Sequence, residues 1–264
     1  MITRLDHVVI GVRDLDEAIR AYQQLGFEVR PGGRHTGLGT HNALIRFGLD
    51  YLELLATYDE SEVARSGGPG QFMTEYLRGR SGGLLGFALA SDSLEDEAER
   101  GAAPAIGYTQ GQPFAMQRAR PDGHVLSWRL LVPGQHTWRR PWPFLIQWDT
   151  PDEQRLAWEG IGQHPNGARG VAGLRVAARD VPAILSIYDN QLGLPVTSSS
   201  VALPTCPIEI VQTEDDDEGL VKVQLRVQNL AGTRDWFARS GIPLDDQLAV
   251  PREWSLGAQV AFVA

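Results

Sequence analysis

The chain holds a single cysteine, Cys206, in 264 residues. No intramolecular disulfide can form, which suits a reducing cytoplasm. Cations are outnumbered: 24 Lys and Arg face 33 Asp and Glu, for a formal net charge of -9. Nucleic-acid binding needs a basic face, so that class is set aside. No run approaches the roughly 18 apolar residues of a membrane span. The opening "MITRLDH" also lacks the charged-then-apolar pattern of a secretory signal. There is no GxSxG elbow, and no histidine neighbours Cys206 in "LPTCPIE". Serine and cysteine nucleophiles are therefore not indicated, and Cys206 reads as inert. The acidic run "TEDDDEG" at 213–219 reads as a solvated loop. What remains is a protein expected in the cytoplasm, with neither a nucleic acid nor a membrane as its partner.

Apolar residues make up 42% of the chain and charged residues 22%, enough for one large domain or two ordinary ones. The organisation is repetitive. Residues 5–13, "LDHVVIGVR", form an apolar strand. Asp14 can cap a following helix, with Glu17 three residues on, and Gly26 fits the left-handed position past its end. "FEVRPG", "THNALIRFG" and "DYLELLAT" then read as strands, giving the order βαβββ. A second unit starts at "GGLLGFALASDSLEDEAERG" and continues as a hairpin about Pro121-Asp122-Gly123. A third, "GVAGLRVAARDVPAILSIYDNQLGLPV", repeats the first with a small insertion, and its "PIEIVQT" echoes "YLELLAT". A fourth runs from "GLVKVQLRVQNLAGTRDWF" to "GAQVAFVA". Between the pairs, 133–160 carries Trp138, Trp142, Trp148 and Trp158 and reads as a connecting strand and turn.

The paired modules opened by "LDHVVIGVRDLDEAIRAYQQLGFEV" and closed by "YLELL" resemble the vicinal oxygen chelate superfamily. That group includes glyoxalase I, bleomycin-resistance proteins and extradiol dioxygenases. "GGRHTGLGTHN", "YLELLATYD" and "PWPFLIQWD" are most similar to its glyoxalase-like domain proteins. The resemblance implies an α+β fold: four βαβββ modules in two pairs, with curled mixed sheets forming incomplete barrels. A glyoxalase-like domain would occupy 1–150, with modules at 4–57 and 82–133 plus the connecting strand. A degenerate pair would occupy 151–264, with modules at 170–213 and 219–264. Modules can pair within one chain or across a homodimer.

In that superfamily a first-strand His and a last-strand Glu hold a divalent metal, and here His7 and Glu53 match those positions. Such a pair suits Zn, Mn, Ni or Fe, with His35 or His41 as candidate additional ligands. The same two residues could instead form a metal-free acid-base pair, in which a carboxylate orients the imidazole. His7 could also be a hydrogen-bonded core histidine. The second module offers Leu85 or Gly86 in its first strand and Arg129 in its last, so its ligand set is incomplete. Arg129 would then pair with the Glu opposite it or grip an anionic substrate, unless it is a surface residue of its strand. The Gly-rich "GGRHTGLGTHN" is not a phosphate loop, since no Lys-Ser/Thr follows it. Its His35, Thr40 and Asn42 are candidate substrate contacts, as is Trp148, which either packs in the core or walls a pocket. Gly173 replaces His7 in the third module, so the fold does not itself demand a histidine there. The leading expectation is a small-molecule enzyme for proton transfer, isomerisation or ring opening. A metal-independent binding protein of the bleomycin-resistance type is the alternative, and an extradiol-type dioxygenase fits less well because no second ligating His appears.

Overall fold

The computed structural model describes residues 1–109, 111–120, 123–134, 137–215 and 217–264. Pro121 and Asp122 of the expected hairpin turn, and Asp216 of the acidic run, lie outside the described residues.

The first module is β1 (Ile2–Val12), α1 (Leu15–Gln24), β2 (Arg30–His35), β3 (Thr40–Arg46) and β4 (Tyr51–Thr57). Asp14 accepts a 2.8 Å hydrogen bond from the Glu17 backbone N–H and so starts α1. The helix buries Leu15, Ala18 and Tyr22. Gly26, at φ +77°, takes the left-handed turn that ends it. Two helices, α2 (Glu60–Ser66) and α3 (Pro69–Tyr76), lead to the second module. That module is β5 (Gly82–Ser91), α4 (Leu94–Glu99), β6 (Phe114–Ala119), β7 (Val125–Leu131) and β8 (Phe144–Trp148). The stretch expected to be a connection is thus the module's fourth strand. It pairs parallel to β5, just as β4 pairs parallel to β1. The expected last strand, which carries Arg129, is the third, because the long loop after 131 must be crossed before the sheet resumes.

The eight strands form a closed barrel in the order β1-β4-β3-β2-β6-β7-β8-β5, rather than the incomplete one expected. The β2–β6 seam is narrow: it rests on one pair, His35 opposite Arg118. Successive residues of β1 face opposite ways. Val9 points into the barrel with His7. Val8, Ile10 and Val12 point outward and are fully buried beneath the rest of the chain. Each outward side chain contributes about 1.5–3 kcal/mol by leaving water. Burial on both faces explains why the strand reads as an unbroken apolar run.

Both ends of the barrel are covered. Helix α5 (Asp152–Glu159) reaches β1, β3, β6 and β8 at one end through Arg155 and Glu159. At the other end, α3 contributes Gly70 and Met73 to the interior.

The C-terminal half is an open sheet, not a second barrel. Strands β9 (Ala168–Ala178), β10 (Ser200–Val201), β11 (Ile208–Gln212), β12 (Gly219–Val227) and β13 (Val260–Val263) lie in the order β10-β11-β9-β12-β13. Helix α6 (Val181–Ser186) continues as a π-turn over Ile187–Gln191, which takes up the insertion relative to α1. The fourth unit keeps only β12, α7 (Leu230–Arg239) and β13 among the described residues. This half packs on the outside of β1, α1 and β4 in one continuous apolar cluster. The Tyr22 hydroxyl donates to the Ser255 carbonyl across that junction.

Candidate active site

The barrel encloses a cavity of about 310 Å³ with one polar end. Val132, Trp138 and Met73 lie toward the α3 mouth, with Leu55, Leu130 and Trp128 along the walls. His7, Glu53, Asn42, His35, Thr40 and Arg118 form the polar part. Of the residues expected from sequence, His7, Glu53, His35, Thr40, Asn42 and Trp148 all line this space. Arg129 does not. It lies on the outer face, gripping Glu95 and donating 2.7 Å to Gln147. Its neighbours on β7, Trp128 and Leu130, take the inward positions. His41 also points away and packs against Tyr58.

The β-ladders show which positions correspond. His7 sits opposite Ala88 and Val9 opposite Gly86, so a local twofold relates His7 to Gly86. Glu53 is registered with Val9, and Phe144 with Ala88. The second-module counterpart of Glu53 is therefore Phe144, not Arg129. The polar pair in one half of the barrel faces a glycine and a phenylalanine in the other.

His7 is held on both sides. Asp6 accepts from its Nδ1 at 2.8 Å, and its Nε2 lies 3.5 Å from Glu53 Oε2. The ring stacks on Tyr51, with centroids 4.8 Å apart, and meets Phe144 edge-on. Asp6 is wholly buried and also accepts from Arg4 at 2.8 Å and from the Trp148 indole N–H at 3.0 Å. Burial alone would raise the Asp6 carboxyl. The hydrogen bond from His7, with the charges of Arg155, His7 and Arg4, holds it well below the usual carboxylate range. An ionised Asp6 can only accept, so Nδ1 carries the proton and Nε2 faces the cavity.

The anchor of this arrangement is α5. Arg155 is fully buried, lies 3.5 Å over the Trp148 ring and pairs with Asp6 at 3.5 Å. Glu159, one turn on, takes Arg46 at 2.8 Å and Arg118 at 3.4 Å. Arg155, Arg46 and Arg118 therefore each have a counter-charge, without which their burial would be prohibitive.

Glu53 is set by Asn42, whose amide donates to Oε1 at 2.5 Å. Asn42 also contacts His35 Nε2 at 3.3 Å, while His35 Nδ1 meets Thr40 at 2.9 Å. Burial lowers the His35 pKa against the opposing pull of Glu53, so this ring is neutral.

His7 Nε2 lies 3.5 Å and His35 Nε2 3.7 Å from Glu53, but one carboxylate oxygen and His35 Nε2 are both engaged by the Asn42 amide. Among the described residues no three His, Cys, Asp or Glu side chains gather as a metal centre. Structural and catalytic sites ordinarily supply three or more protein ligands. The residues present do not fit a metal site of the expected kind.

The sequence matches the glyoxalase-like domain family over residues 5–192. The chain belongs to that family. No curated protein matches it. Among solved structures, this glyoxalase-like protein is similar to a hypothetical protein from Staphylococcus aureus, with a TM-score of 0.70, 15% identity and full coverage of both chains. A triple mutant of 4-hydroxymandelate synthase from Streptomyces coelicolor aligns at TM-score 0.59 and 12% identity, over 96% of this chain and 78% of that one. A fusion of a xylose isomerase-like TIM barrel with 4-hydroxyphenylpyruvate dioxygenase aligns at TM-score 0.53 and 13% identity, over 96% and 40% respectively. At these identities the likeness is one of fold. With the family match it places the chain in the vicinal oxygen chelate superfamily, among its small-molecule enzymes and binding proteins.

Sequence reasoning missed Asp6, Tyr51, Arg118, Trp128 and Arg155. Asp6 had a signal. It is a charged residue beside His7 in an otherwise apolar strand, where a buried carboxylate must have a purpose or a partner.

Proposed function

We propose that this protein is a proton-transfer enzyme in which His7, oriented by Asp6, is the general base. The observation that carries the reading is the 2.8 Å Asp6–His7 hydrogen bond, which leaves Nε2 directed at an aromatic-walled cavity. A carbon acid bound there, such as an enolisable ketone, loses a proton from carbon to Nε2. The C–H electron pair moves into the carbonyl and an enolate forms. The imidazolium stands between two carboxylates, Asp6 and Glu53. It then returns its proton to the enolate at carbon or oxygen, and the atoms balance as an isomerisation. Water is displaced by the apolar walls, which strengthens each of these electrostatic contacts.

The test is deuterium incorporation from D2O into a bicyclic ketone, 2-tetralone, followed by proton NMR. Wild-type protein is expected to exchange the α-protons well above the buffer rate. His7→Gln is expected to lose about 10²–10⁴-fold of that gain. Exchange no faster than buffer, or full activity in His7→Gln, sinks the reading.

A binding protein is the second reading. It is favoured by the way Asn42, His35 and Thr40 satisfy one another, as in a preformed receptor cavity. Tight association of the ketone without exchange selects it.

A further inference from the structure

The charge balance of the cavity indicates what its polar end can accept. Arg118 is a guanidinium lining the cavity, and its charge is answered by Glu159. It donates to Glu159 at 3.4 Å and to the Asn42 carbonyl at 3.3 Å, while its Nε–H has no partner but is wholly buried, out of a ligand's reach. Arg129 is outside the barrel, on Glu95. Arg155 and Arg46 lie beyond the floor with Asp6 and Glu159. The Asn42 amide is divided between Glu53 and His35.

The unspent acceptor capacity at that end centres on two neighbouring atoms. Among the described residues Glu53 Oε2 has no hydrogen-bond donor, and it faces the unprotonated His7 Nε2 at 3.5 Å. His7 Nε2 is the nitrogen left over once Nδ1 is tied to Asp6. A carboxylate or phosphate brought there would meet the Glu53 charge, and the described cations nearby are already paired with Glu159 and Asp6, in surroundings where an unpaired ion is costly. A hydroxyl or N–H meets an acceptor. Tyr51 and Trp128 also line the cavity and are uncharged. Around them stand the faces and edges of Trp128, Trp138, Phe144 and Trp148, with Met73 and Met116. That wall suits a flat apolar body.

We infer that the cavity takes an uncharged, aromatic-sized molecule whose polar end is a hydrogen-bond donor, a hydroxyl or N–H, and that it rejects the carboxylate of the same shape. This rests on the proposed site but not on catalysis, so the two can fail separately.

Three probes of one shape test it by titration calorimetry on the full-length protein: 2-naphthol, its methyl ether and 2-naphthoate. Naphthol is expected to bind about ten-fold tighter than the ether, the worth of one good hydrogen bond, and at least as far above the carboxylate. In Glu53→Gln the preference for naphthol over naphthoate is expected to fall to about three-fold or less, because the repelling charge is gone while the shape is kept. The inference is overturned by naphthoate binding as tightly as naphthol, by a methyl ether that matches naphthol, or by no binding of any of the three. The wild-type comparison stands even if the variant fails to fold. Donor-selective binding together with no deuterium exchange into 2-tetralone would keep this inference and discard the base.

Discussion

Asp6→Asn isolates the central claim, that a buried carboxylate sets both the stability of the barrel floor and the tautomer of His7. The substitution keeps shape and removes charge. Asp6 accepts from His7, Arg4 and Trp148 and pairs with Arg155, with no exposed surface. Removing one member of a buried ionic cluster costs about 3–5 kcal/mol. With a urea m-value of about 3 kcal/mol/M, the midpoint should fall by roughly 1–1.7 M. Tryptophan fluorescence reports the transition directly, since Trp148 is a partner of the lost charge. The pH dependence gives the sharper check. The folded Asp6 carboxyl lies below its unfolded value, so its stabilisation is complete above the unfolded value of about 3.9. It is lost as pH falls toward the folded value. The gap between wild type and Asp6→Asn should therefore be widest near pH ~7 and shrink below about pH 4. In the exchange assay the variant should lose about 10²–10⁴-fold, because an amide at position 6 can donate to Nδ1 and leave the proton on Nε2. A midpoint within about 0.3 M of wild type, or a gap that stays constant down to about pH 3, would refute the account.

Arg129→Ala should leave the urea midpoint, naphthol affinity and deuterium exchange at wild-type values, since Arg129 pairs on the surface with Glu95. A large loss in any of the three would return Arg129 to the site. Gly33→Ala should destabilise by more than about 1 kcal/mol in urea titration. Gly33 has φ +148° and an added Cβ would come 2.6 Å from the Ala119 carbonyl, at the barrel seam; a neutral result would show that the seam yields freely. The Cys206 thiol, pushed up to about 12 by burial and then by nearby Asp50, should ignore a thiol-reactive disulfide in native buffer and react fully in denaturant. Rapid native labelling would contradict its burial.

Much of the first module was legible because its signals are local. The Asp14 cap, the Gly26 turn and the two-residue alternation of β1 and β4 each follow from a few adjacent residues. Alternation also sufficed to put His7 and Glu53 on inward faces. The second module resisted because its loops are long: a strand after an extended connection can be third or fourth, and only the parallel ladder of β8 on β5 decides it. That reading put Arg129 at the inward ligand position, whereas it pairs with Glu95 on the outer face. The C-terminal half repeats the pattern of β9, α6 and β11 closely. Yet closure depends on strands the sequence would have to supply between α7 and β13, and the described residues there form turns. Arg155 was beyond reach for another reason. A mid-helix arginine ordinarily faces water, and only the docking of α5 on Asp6 and Trp148 makes it the most deeply placed cation at the floor.

The barrel wall divides the apolar residues into two clusters, one outside beneath the C-terminal sheet and one inside around the cavity. The same strands feed both, on alternate residues. Substitutions at Leu55, Met116, Trp128 or Ile146 can therefore reshape what the protein recognises while the larger outer cluster continues to hold the chain together. Mutational drift has two separate ledgers to write in, and specificity can diverge here without first rebuilding the scaffold.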